Sequence, residues 1–182
     1  MRRLCICVFG LALGAMAVLD AQDAPANPLS TEARGAWTRT INNAVAAAEK
    51  MPEDAYTFKP TPESMSFRDL VAHTADSAMG ACSAFNGERK TAGAAQMTSK
   101  ADLVGAMKAA QAECEKAYSL DDAKAVEMMT GGRGGPRSRL GTLWGNTVHI
   151  EHEYAQMAVQ LRLKGLVPPS SEGRGGMGRG GR

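Results

Sequence analysis

Four stretches of this chain repeat apolar residues at intervals of three and four, and no window alternates apolar with polar residues for the length of a strand. The first pattern lines one face of a helix, whereas a half-buried strand needs the second. Runs of β-branched residues are scarce, and alanine, leucine, methionine, glutamate and lysine abound. These residues lose little freedom in a helix, so an all-α protein is expected. A chain of 182 residues can bury one substantial core but not comfortably two, so one domain is expected.

The first helix should begin near Leu29, after Pro28 and with Ser30 or Thr31 as N-cap, and end at Pro52. Its inner stripe is Ala33, Trp37, Ile41, Ala44, Val45 and Ala48. Pro52, Pro60 and Pro62 make the next segment an extended connection, pinned to the body by Tyr56 and Phe58. Ser66 with Asp69 three residues on announces a second helix, with Phe67, Leu70, Val71, Ala78, Cys82 and Phe85 inward, and Asn86-Gly87 stops it. Ser99 with Asp102 opens a third, lined by Leu103, Met107, Ala110, Cys114 and Ala117. A short helical turn over AKAVEMM follows, and TGGRGGPRSR breaks the chain. The fourth helix runs from about Arg139 to Gly165, with Leu140, Leu143, Trp144, Ile150, Tyr154, Met157, Ala158 and Leu161 in one broad stripe.

The ends carry other signals. Met1 to about Ala21 has Arg2 and Arg3, then an apolar run, then a polar switch, which is the layout of a signal peptide. Cleavage fits after Ala17 or after Ala21, and the second is favoured because the polar stretch begins there. The run is shorter than the roughly 20 residues of a membrane span, so export to the periplasm or beyond is expected, with no stable span after cleavage. The divisions expected are a signal peptide at 1–21, a linker at 22–28, the helical domain at 29–168 and a disordered Gly/Arg-rich tail at 169–182. A net charge of +2, with the excess arginine at the extreme ends, argues against nucleic acid as a partner. Cys82 and Cys114 remain after cleavage, either bridged or as two separate buried thiols.

Chemistry concentrates in the fourth helix. His149 and Glu153 are one turn apart and project from the same face, at one margin of the apolar stripe and in line with Gln156 and Gln160. A divalent cation could bridge them. His152 falls opposite the stripe and should face water. On the second helix His73 stands at the border of the stripe, with Asp69, Asp76 and Ser77 nearby as groups that could orient its ring. GGRGGP lacks the lysine and hydroxyl residue of a phosphate loop, and no Ser/His/Asp arrangement can be assembled from spacing.

With these elements in place, the chain resembles the DinB-like family of four-helix bundles of up-down type, over nearly all of Leu29 to Ser171. The most specific parts are MPEDAYTFKPTPESMSFRDLVAHTAD and EYAQMAVQLRLKGLVPPSS. The resemblance implies a divalent metal (zinc, nickel, manganese or iron) held by a histidine of the second helix and two histidines four apart on the last. His73 and His149 match the first two, and Glu153 stands where the third histidine is expected. Either Glu153 substitutes as an oxygen ligand, or the site has decayed; His152 as replacement would require a rotation that misplaces Tyr154 and Met157. Relatives include metal-dependent thiol transferases and isomerases. Export separates this chain from cytoplasmic thiols, so the expectation is metal-assisted hydrolysis or transfer on a small-molecule substrate, against the alternative of a non-catalytic envelope module. A homodimer is compatible with either.

Overall fold

The computed structural model describes residues 26–130 and 135–172. The leader expected at 1–21 and residues 173–182 of the tail lie outside the described residues. Helix α1 spans Pro28–Lys50, α2 Phe67–Phe85, α3 Lys100–Ala117, the short α4 Asp122–Ala125, and α5 Arg139–Leu163. Two short strands, β1 (Met128–Met129) and β2 (Arg137–Ser138), pair antiparallel on either side of the glycine-rich break, a ladder too short for periodicity to reveal. Among the described residues no helix is long and apolar enough to cross a membrane.

The four long helices form a bundle, as expected, but the chain does not alternate up and down throughout: α2 and α3, consecutive and in contact, run parallel. α1 packs on α5 and more lightly on α3, while α2 packs on α3 and more lightly on α5, so α1 and α2 face each other across a diagonal. Helix directions follow from cross-links between ends. Leu29 and Leu140 line one hollow near the starts of α1 and α5, and Thr40 Oγ1 donates to Glu151 at 2.8 Å further along, so these two run parallel. The Arg139 guanidinium lies 4.5 Å over the Phe85 ring, and Gln160 donates to the Met65 carbonyl at 3.1 Å, so α2 runs against α5. α3 runs with α2: Arg68 reaches the Met97 carbonyl before α3, and Cys82 is bridged to Cys114 near the other ends.

Two parallel neighbours need a return segment between them, about 28 Å for a helix of 19 residues. Residues 86–99 supply it. Gly87 and Gly93 take positive φ at its turns, a region open to glycine without strain. Asp76 anchors it by accepting from the Ala94 and Ala95 amides at 3.0 Å each, and Arg68 by donating to the Ala95 and Met97 carbonyls. The long first connection is pinned as expected: Tyr56 donates to the Ala48 carbonyl and meets Phe67 edge to face at 5.2 Å, while Lys164 sits over Phe58.

The core holds the expected stripes, with Trp37 stacked on Tyr118 at 4.6 Å and Leu70, Leu103, Met107, Ile150, Met157 and Leu161 fully buried. Three local expectations need correction. Trp144 is 53% exposed, because Asn146 and Thr147 turn inward in its stead; Tyr118 donates to the Leu143 carbonyl at 2.6 Å, and its hydroxyl lies 2.8 Å from that of Thr147. α1 is not capped by Ser30 or Thr31. Asp122 of α4 accepts from the Leu29 and Ser30 amides at 3.1 and 2.8 Å and from the Ser30 hydroxyl, a cap delivered from 92 residues away. The Ser66 and Ser99 caps form as expected. Finally, Pro169–Ser171 form a turn fastened by Tyr154 to Ser170 at 2.6 Å and Arg162 to Ser171, so the folded part extends past residue 168. The cysteine alternatives resolve to a bridge joining α2 to α3, with Cα atoms 4.9 Å apart.

Candidate metal centre

The antiparallel pairing of α2 and α5 sets His73 opposite His149 and Glu153. Their rings meet edge to face at 5.0 Å, His73 Nε2 lies 3.8 Å from Glu153 Oε1, and His149 Nδ1 lies 3.9 Å from the same oxygen. One donor atom from each of the three falls within 4.8 Å of the others, so His73, His149 and Glu153 could hold a metal ion. Tetrahedral ligands at about 2.1 Å from an ion sit about 3.4 Å apart, so the two His–Glu sides of the triangle must close by about half an ångström each and its widest side by no more than about 1.4 Å. Two imidazoles and a carboxylate suit zinc and also nickel, manganese or iron.

The chemistry of the donor set fits a cation. Glu153 is only 4% exposed, and its Oε2 accepts one hydrogen bond, from Gln156 at 3.1 Å. Its Oε1 faces two imidazole nitrogens at distances too long for hydrogen bonds, and no lysine or arginine among the described residues pairs with it. A buried carboxylate in that position lacks a countercharge, and the gap between the three donors is where an ion would supply one. Burial holds His149 below the ordinary imidazole range; the Glu153 charge opposes that shift, and His73 and His152 add to it. The shift favours the neutral imidazole, the form that binds metal.

The surrounding expectations divide. Gln156, in line with His149 and Glu153 as expected, donates to the Glu153 carboxylate at 3.1 Å. Ser77 Oγ lies 3.5 Å from His73 Nε2. Asp69 instead accepts from Ser66 and Arg68, and Asp76 holds the return segment, so neither carboxylate orients the His73 ring. Gln160 is buried on the Met65 carbonyl. His152 is exposed, away from the triad, which removes it as the substitute ligand. Asn146, which spacing did not single out, lies one turn before His149 with its amide 3.6 Å from Cys82 Sγ and 3.3 Å from the Tyr118 hydroxyl. It falls between Leu143 and Ile150 on the inner face, so a wheel that admitted polar residues would have found it.

Site access is modest. A hollow of 240 Å³ adjoins His73, lined also by Met65, Arg68 and Ala72. Larger hollows of 710 and 770 Å³ lie between α1 and α5 around Arg39 and Trp144, and none of the triad lines them.

Comparison with known structures shows the same fold. A DinB-like protein from Bacillus cereus is similar at 16% identity, with a TM-score of 0.63 over 76% of this chain and 95% of that one. A conserved protein from Enterococcus faecalis gives 15% identity and a TM-score of 0.60, over 74% and 95%. A DinB-like protein from Bacillus subtilis gives 19% and 0.56, over 74% and 92%. A search of curated proteins gave no match. The family model of the DinB superfamily matches residues 36–157, which include all three candidate ligands, and the chain belongs to that superfamily.

Proposed function

We propose that this is an exported divalent-metal-binding member of the superfamily, acting as a metal-dependent hydrolase or transferase on a small molecule through His73, His149 and Glu153. The observation that carries the reading is the buried Glu153 carboxylate, held by Gln156 beside one imidazole of its own helix and one from α2 across the groove, and lacking any other countercharge. A divalent ion held there would supply Lewis-acid activation of a water or thiol. The chain's own part is to fix three donors from two helices and leave the solvent side open, where His73 and His149 are partly exposed. Ser77 stands within reach of His73 Nε2, the nitrogen that faces Glu153, and can hold a substrate oxygen beside the ion. Export is supported by the leader pattern and by the Cys82–Cys114 bridge, a bond that persists in oxidising compartments.

Cobalt substitution tests for a reactive centre. The cobalt-loaded protein should show visible absorption that shifts when a small thiol or cyanide is added, because a position remains open. An unchanged spectrum, or failure to bind cobalt, would favour the second reading, a non-catalytic envelope module. The width of the His–Glu separations, 3.8 and 3.9 Å, is the observation on that side.

A further inference from the structure

Ser77, one turn on from His73, begins an outward face of α2 that continues through Gly80 and Ala81, and no residue of the triad is itself part of it. Across from it, Arg89, Lys90 and Thr91 of the return segment complete a cleft of 630 Å³. Its outer wall is fastened. The Glu88 amide donates to the Ser83 carbonyl at 3.0 Å, the Lys90 amide to the Ser83 hydroxyl at 2.8 Å, and the Ala94 and Ala95 amides to Asp76. The floor is low, since Gly80 has no side chain and even a Cβ there would meet nothing within 4 Å.

The charges in the cleft are not equally available. Both Asp76 oxygens are taken by backbone amides, and Lys90 is shared between Glu88 and Glu113 at 3.4 Å each. Arg89 is exposed and has no hydrogen-bond or ion-pair partner among the described residues. Its planar fork matches a carboxylate or phosphate. At the other end Ser77 lies 3.5 Å from the same His73 Nε2 that faces Glu153. From His73 to Ala81 is about 12 Å along the helix axis.

Resting on the metal reading above, we propose that this cleft seats the substrate. The substrate is a small acid whose carboxylate or phosphate is anchored by Arg89, about two helical turns from a reacting group placed at the triad. Arg89 thus acts in binding and specificity, and Ser77 marks where the chain of the substrate passes to the centre.

Calorimetry on the full exported chain loaded with zinc tests this. The probes are suberic acid monohydroxamate, its methyl ester and the corresponding phosphonate. The acid should bind about fivefold more tightly than the ester, as expected of an exposed ion pair. That preference should vanish in Arg89→Ala, survive in part in Arg89→Lys, and shrink with added salt. The ranking of carboxylate against phosphonate names the head group. Zinc binding with no preference for acid over ester would overturn the cleft assignment alone, as would a preference that persists in Arg89→Ala; binding of neither hydroxamate would deny the ion an open position and overturn the cleft and the reactive centre together. Failure of zinc itself to bind would overturn the metal reading and this one with it.

Discussion

Replacing Glu153 with glutamine should reverse the stability ranking of variant and wild type according to whether an ion is present. Without an ion, wild type buries a carboxylate that is 4% exposed, accepts one hydrogen bond at 3.1 Å and faces two ring nitrogens beyond bonding distance. An amide of the same shape keeps the Gln156 contact and removes the buried charge. Incompletely satisfied buried polar groups cost about 1–3 kcal/mol, so a gain near the lower end, about 1 kcal/mol, is expected for Glu153→Gln. For a chain of this size that is about 2–4 °C in Tm. With zinc at about a hundred times its Kd, wild type gains about 2.7 kcal/mol. Loss of even an outer partner of a metal site weakens binding about 10–100-fold, and loss of a ligand should do no less. At the lower affinity the variant gains only about 0.4 kcal/mol at the same zinc concentration, and its total of about 1.4 falls below wild type. Scanning calorimetry of chelator-treated protein, with and without zinc, reads both rankings. A variant that melts below wild type in both conditions, or a wild type that zinc does not stabilise, would refute the reasoning.

Reducing the Cys82–Cys114 bridge, or replacing both residues with serine, should cost about 4 kcal/mol in urea unfolding, from the chain entropy of a closed loop of this length. Acid should unfold the protein partly through two carboxylates. Hydrogen bonds from Asn86, Lys116 and Lys90 hold Glu113 down at about 2, and those from Ser30 and Leu29 outweigh the opposing effect of burial to lower Asp122. Because both folded-state values are depressed, their contribution is full above the ordinary values of 4.5 and 3.8 and is lost as pH falls below them, so Asp122→Asn and Glu113→Gln should flatten the acid limb of a stability–pH curve. Ile150→Ala should destabilise by about 2–5 kcal/mol, and Trp144→Ala by less than about 0.5 kcal/mol, as measured by denaturant titration.

What could be read from the sequence follows how local the physics is. The caps at Ser66 and Ser99 involve a side chain and an amide three residues away, and both were legible. The cap on α1 comes from Asp122, and no local pattern encodes a partner 92 residues distant. The helix faces were legible from apolar spacing except at Trp144, where size and hydrophobicity point inward but Asn146 and Thr147 take the buried positions through Tyr118. The parallel run of α2 and α3 was hidden because a polar link of that length permits either direction. For the site, one turn of helix already paired His149 with Glu153, whereas His73 joined them only through the family resemblance. Arg89 was not legible at all, since its meaning depends on a return segment folding back along α2.

Metal content is the most direct measurement. Wild-type protein purified without chelator should carry about one divalent ion per chain, and His73→Ala and His149→Ala, both folded by circular dichroism, should lose most of it. Metal-free wild type, or the same content in all three proteins, would contradict a shared site at His73, His149 and Glu153.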